Sequence, residues 1–217
     1  MLNKNNPSGA GDIYNSLPKE LLKMKRHKLP DRFYRALFRN LNEIRTALLQ
    51  RQALIGIAAA KSKHKLDFFT LSHDALYNDM VAHAIKVLDK NSDSATFWYL
   101  YNCDPKTIDT FLKDKKYGLK SLEDMAAKLL HVRNKTHFHI DKKGVFNPKA
   151  IWSEAEINGD EFGKVLKNVF YILQYLRKVH LGKELAMPDY DGSDATKIIA
   201  IATRESIIPN FDDNNGS

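Results

Sequence analysis

An all-α bundle of four to five main helices is the fold this sequence predicts. Three observations predict it. Apolar residues recur at spacings of three and four through several long segments. Alternation with period two persists nowhere except in a short stretch near the C-terminus. There is no glycine-rich phosphate loop and no internal repeat. With 217 residues, 43% of them hydrophobic, the chain has enough apolar side chains to bury one good core.

Residues 1–15 are polar and turn-rich and read as a disordered N-terminus; residues 16–185 read as the helical domain, and 186–217 as an extension of uncertain structure. "SLPKELLKMKRH" suits a short helix with Pro18 in its first turn. The first long helix is "LPDRFYRALFRNLNEIRTALLQRQALIGIAAAK", with Asp31 placed to cap it and Gly56 placed to weaken or end it. Leu37, Leu41, Ile44 and Leu48 share one of its faces. The second is "FFTLSHDALYNDMVAHAIKVLDKN", where Leu76, Met80, Ala84 and Leu88 align and Val81 and Ile85 widen the apolar face.

"SDSATFWYLYN" follows, with Ser94 or Asp93 as cap and Phe97, Trp98, Leu100 and Tyr101 as core candidates. "DPKTIDTFLKDKKYG" reads as a short helix opened by Asp104-Pro105 and closed by Gly118. The next helix is expected from Ser121, with Leu122, Met125, Leu129 and Val132 as its buried stripe. The last strong helix is "NGDEFGKVLKNVFYILQYLRKVHLG", with Asn158 as N-cap, Glu161 three residues on, and Gly182 in the place of a C-terminal glycine. Phe162, Leu166, Val169, Leu173 and Leu176 are its seam. The tail "DGSDATKIIAIATRESII" fits a helix or a strand; a helix capped by Ser193 or Asp194 is the expectation.

No apolar run reaches the roughly 20 residues needed to cross a bilayer. The polar N-terminus lacks the apolar core of a signal peptide, and the single cysteine, Cys103, excludes an internal disulfide. Both point to a cytoplasmic protein. The net charge of +8 is uneven: from Lys19 to Lys65 thirteen Lys or Arg stand against three acids. A basic segment of this kind suits a polyanion such as nucleic acid, or simply a solvated face. Within it Arg32, Arg35, Arg39 and Arg45 are the candidate phosphate contacts.

"LLHVRNKTHFHIDKKG", at the end of the Ser121 helix, gathers three histidines, an arginine, an asparagine and an aspartate. Arginine grips phosphate through a planar fork, and histidine exchanges protons near neutral pH. Metal-free RNA cleavage needs both: the 2′-hydroxyl must lose a proton, the phosphorane charge must be stabilised and the 5′-oxygen must gain a proton. At about 100° per residue Arg133 and His137 lie close on one face, whereas His139 lies about 120° away from Arg133. The helix must loosen near its end, the arginine must reach across, or a second chain must supply the partner.

These residues resemble a known family. "RNKTHFHID" looks like the Arg-x(4–6)-His motif of HEPN domains, small all-α proteins of prokaryotic defence and toxin–antitoxin systems. With His139 the spacing is Arg-x5-His, close to the AbiU-like, abortive-infection branch, and the likeness covers Phe68 to Asp141. The resemblance implies an HEPN-like helical bundle that forms a homodimer and acts as a metal-independent endoribonuclease with no cofactor. It implies RNA as partner, an antitoxin or defence-system protein as a possible second one, and no membrane. Carried over, the catalytic residues are Arg133, His139 and Asn134. His137 departs from the pattern and leaves open which histidine is catalytic.

Other readings fit the same side chains. They can be a cationic cluster stabilising a helix C-terminus, with Asp141 pairing Arg133, Lys135 or a histidine. His131, His137, His139 and Asp141 can be weighed as metal ligands, but no cysteine or carboxylate frame supports a metal. The fold can also serve as a non-catalytic scaffold that binds nucleic acid or protein. On the second long helix, Asp79 and His83 are four apart and placed to pair, with His73 nearby.

Overall fold

The computed structural model describes residues 29–60, 67–137, 151 and 153–205. The expectations for residues 1–28 and for "PNFDDNNGS" lie outside them. Seven α-helices form among the described residues, and none of these residues is in a strand. They are α1 (Asp31–Ala59), α2 (Asp67–Leu88), α3 (Phe97–Cys103), α4 (Pro105–Lys115), α5 (Leu119–Val132), α6 (Gly159–Leu181) and α7 (Ser193–Glu205). A π-helical segment, Arg133–His137, continues α5. The all-α bundle is as expected, with four helices of 14 residues or more, α1, α2, α5 and α6.

The apolar stripes bury as their spacing requires. Leu37, Leu41, Ile44 and Leu48 of α1 meet Met80, Ala84, Ile85 and Leu88 of α2 and the seam of α6 in one core. Leu122, Met125 and Leu129 of α5 join it, and Phe97 and Leu100 close it from α3. Truncating such a fully buried Leu to Ala costs about 2–5 kcal/mol. α1 is the hub, packing on α2, α3, α6 and α7.

Several boundaries differ from expectation, each for a physical reason. Pro30, not Asp31, stands at the N-cap of α1; Asp31 is the first helical residue, where its charge meets the positive end of the helix. Thr96, rather than Ser94 or Asp93, precedes α3, and its side chain makes no cap bond. α5 begins at Leu119, two residues before Ser121. Gly118 does not close α4. Lys116 does so in the left-handed conformation (φ 54°), and the Tyr117 N–H donates back to the Leu112 carbonyl at 2.8 Å. That reverse bond satisfies end carbonyls and turns the chain without a glycine.

Asp104 and Asn158 cap as expected. Asp104 accepts from Thr107 N–H at 3.3 Å, with Pro105 beside it. Asn158 Oδ1 accepts from the amides of Asp160 and Glu161 at 2.8 and 3.1 Å. The Glu161 carboxylate turns instead to Lys128 at 3.3 Å and so ties α5 to α6. Gly182, at φ 64°, ends α6.

The tail is a helix. Its first amide, Ser193 N–H, is held by Asp191 Oδ1 at 2.8 Å, while Asp194 accepts from Ala195 N–H at 2.7 Å. Gly56 neither ends nor kinks α1, which runs on to Ala59. It lets α7 approach: a Cβ at Gly56 would lie 2.0 Å from the Gly192 carbonyl oxygen, and one at Gly192 would lie 2.1 Å from the Gln52 oxygen. Thr196 Oγ1 donates to the Gly56 carbonyl at 2.7 Å across the same contact.

Candidate functional site

Where α5 passes Val132 its pitch widens, and Arg133–His137 forms a π-helical segment. Such segments bond each carbonyl to the amide five residues on instead of four and are frequent at functional sites. The guanidinium of Arg133 lies against the C-terminus of α2. Its Nη1 donates to Asp89 Oδ2, and its Nε donates to Asn134 Oδ1 at 3.2 Å. The pair is half-buried, the Arg133 side chain 26% exposed and that of Asp89 17%. Asp89 is held in turn by the Asn91 N–H, which donates to its Oδ1 at 3.2 Å. Asn134 is therefore placed to orient the arginine.

Beside Arg133 opens a cleft of about 370 Å³ between α1, the end of α2 and the turn before α3. Arg39, Lys86 and Arg133 bring three positive charges to it, and Glu43 and Asp89 two negative ones. Asn40, Ile85, Ser94, Ala95 and Thr96 complete the wall.

Three of these residues are polar and buried: Asn40, Glu43 and Thr96. Buried polar groups are normally bonded, so their partners matter. Asn40 Nδ2 donates to the carbonyls of Ala36 and Ala95, both at 2.8 Å, which fixes the amide orientation. Glu43 Oε2 meets His83 Nδ1 at 2.5 Å and Lys86 Nζ at 3.3 Å. The His83 hydrogen bond holds the Glu43 carboxyl below its ordinary 4.5; burial works against this and Lys86 with it. His83 Nε2 faces Asp79 at 3.3 Å, so the expected Asp79–His83 pair forms. Gln50 Nε2 anchors Asp79 at 2.5 Å. Thr96 Oγ1 has no hydrogen-bond partner among the described residues.

The other anticipated residues scatter. Asn134 is exposed beside Arg133. His137 is the last residue of the π segment; its side chain, together with His139 and Asp141, lies outside the described residues. His131 points to Glu154, 3.5 Å away, rather than to the cleft. Arg32, Arg35 and Arg39 are all exposed on one face of α1. Arg39 reaches the cleft, and Arg32 lies over the Tyr99 ring, 5.4 Å from its centroid. Arg45, six residues beyond Arg39, is exposed too but about 120° off that face, so it does not extend the stripe.

His73 meets its neighbour Asp74, at 3.3 Å. Trp98 and Tyr101 pack on the core, Trp98 donating to the Leu88 carbonyl at 2.8 Å. Cys103 is a free thiol packed against the same core. Among the described residues no group of three or more His, Cys, Asp or Glu is placed to hold a metal ion, and no helix is long and apolar enough to cross a membrane.

Reasoning from sequence missed Asn40, Glu43, Asp89 and Thr96. For two of them a signal existed. Ala36, Asn40, Glu43 and Ala47 follow one another at spacings of four, three and four, so Asn40 and Glu43 sit on a buried stripe. Polar residues in register with core positions mark a site or a polar network. The chain matches no family model, none of the curated proteins and no solved structure.

Proposed function

We propose that the protein is a metal-independent endoribonuclease that cleaves single-stranded RNA at the Arg133 end of this cleft. The observation that carries the reading is the placement of Arg133 at a π-helical break, on the rim of an open cleft it shares with Arg39 and Lys86. A guanidinium there can exchange part of its Asp89 contact for a phosphodiester oxygen while Asn134 holds its Nε side.

In the reaction, His139, or His137 in its place, takes the 2′-hydroxyl proton. The 2′-oxygen bonds to phosphorus, Arg133 stabilises the added negative charge, and the bond to the 5′-oxygen breaks as that oxygen gains a proton. The products are a 2′,3′-cyclic phosphate and a 5′-hydroxyl end. A homodimer fits the same reading, since a second copy of the motif supplies the second proton carrier. The likeness of "RNKTHFHID" to the HEPN motif supports a role in prokaryotic defence or a toxin–antitoxin pair.

The test is to incubate pure protein with total RNA in EDTA, beside Arg133→Ala, His139→Ala and His137→Ala. Cleavage is expected in the parent, with a loss of about 10²–10⁴-fold in Arg133→Ala and in one histidine variant. No cleavage, or cleavage that survives all three substitutions, overturns the proposal.

One observation favours a second reading, a non-catalytic scaffold that binds nucleic acid or a partner protein. Asp89 already neutralises Arg133, which a purely structural ion pair also requires. That reading predicts salt-sensitive RNA binding lost in Arg35→Glu and untouched in His139→Ala.

A further inference from the structure

We propose that the cleft beside Arg133 is a base pocket that selects an unpaired guanine in RNA. The proposal deepens the nuclease reading, on which it rests for its assumption that RNA enters this cleft. Its starting point is Thr96. The residue is 4% exposed and lines the cleft, and its hydroxyl has no hydrogen-bond partner among the described residues. A buried hydroxyl in that state carries an uncompensated desolvation penalty, which a bound group with a matching acceptor removes.

Two further groups on the floor have spare capacity, both as acceptors. Asn40 spends its amide hydrogens on two carbonyls, so its Oδ1 remains. Glu43 makes both its contacts through Oε2, so its Oε1 remains. They sit three residues apart on α1, neighbours on one helical face. The lining of this one cleft thus offers a hydroxyl, which can donate, and two acceptors. Guanine presents the complement on its Watson–Crick edge: an acceptor, O6, followed by the donors N1–H and N2–H₂.

Adenine and cytosine place an acceptor next to a single amino donor, and uracil places one donor between two acceptors. Each leaves at least one of the buried acceptors without a partner. Ile85 supplies the apolar wall for the base face, and Arg39, Lys86 and Arg133 supply cations for the adjoining phosphates. A volume of about 370 Å³ admits one nucleotide and not a duplex, so the base must be unpaired.

The full-length protein is titrated with fluorescent 2′-O-methyl pentanucleotides, which cannot be cleaved through the 2′-oxygen. Four are used, differing only in the central base within flanking adenines, and guanosine monophosphate is added as a competitor. The guanine oligonucleotide is expected to bind at least about tenfold tighter than the other three. Thr96→Val and Glu43→Gln are expected to erase most of that preference. Thr96→Val also removes an unpaired buried hydroxyl, so its melting temperature should equal or exceed that of the parent, which separates lost recognition from lost folding.

Equal binding of all four oligonucleotides, or an unchanged preference in Thr96→Val, overturns the proposal. Tighter binding of guanosine monophosphate than of the oligonucleotide overturns RNA as the source of the base. The nuclease reading is scored apart: guanine-selective binding with no cleavage in EDTA sinks that reading and leaves the pocket standing, whereas cleavage without guanine selectivity does the reverse.

Discussion

Asp89 restrains Arg133 in the free protein, and that restraint is open to measurement. Asp89→Asn keeps the acceptor used by the Asn91 amide but removes the charge facing the guanidinium. Stability is expected to fall by about 1 kcal/mol, since the pair is only half-buried, and RNA affinity is expected to rise because phosphate no longer competes with a carboxylate. Urea unfolding and fluorescence anisotropy on one preparation check both. Glu43 gives a pH prediction. Its carboxyl, with an ordinary value of 4.5, is held lower in the fold by His83 against the opposing effect of burial. Its contribution is therefore complete above 4.5 and is lost as pH falls through the lower folded value. Glu43→Gln should narrow the stability gap between pH 6 and acid, read as urea midpoints across that range. Asp104 adds the same sign of dependence: burial raises its carboxyl, but bonds from Thr107 and His180 outweigh burial and leave it below 3.8. At this scale a sequence reveals residue type and register. It shows Asn40 and Glu43 on a buried stripe, and it cannot show that the Thr96 hydroxyl lacks a partner among the described residues, because that depends on atoms brought in by other helices.

Helices and their ends were legible wherever the signal was local. Asn158 and Gly182 bracket α6 because one side-chain acceptor and one residue tolerant of positive φ suffice. The end of α4 was misplaced because Lys116 adopts the left-handed conformation although it is not a glycine. Lys116→Gly should raise stability by about 0.5–1 kcal/mol, the strain relieved less the added chain entropy, as judged by thermal and urea midpoints. The role of Gly56 was also beyond local reading, since its reason lies in α7 about 140 residues on. Gly56→Ala must push a methyl into the Gly192 carbonyl. A loss of about 2 kcal/mol or more is expected, with α7 released first, seen as faster amide exchange in 193–205 than in α1.

Across the whole molecule, the bundle follows from four apolar stripes, whereas the candidate site does not follow from any one segment. Arg133 and Asp89 lie 44 positions apart, and Glu43 and His83 lie 40 apart. Composition foretold only that an anionic partner was plausible, from a net charge of +8 concentrated in the first third of the chain. If RNA lies along Arg32, Arg35 and Arg39 into the cleft, three or four phosphates are contacted. The logarithm of affinity should then fall against the logarithm of salt with a slope of about −2 to −3, and Arg35→Glu should flatten it by roughly 0.7 or more. A slope indifferent to Arg35→Glu would remove α1 from the RNA path.

The widened turn at Arg133–His137 has a consequence for how this chain tolerates insertion and deletion. Shortening it by a single amino acid would let the spiral close up to ordinary pitch. Four α-helical residues turn the chain through nearly the same angle as five π-helical ones, so whatever follows would keep its direction around the axis. A one-residue deletion there is accordingly expected to cost less than the same deletion inside the α-helical part of α5, which turns everything beyond it by about 100°, and the melting temperatures of the two variants check it.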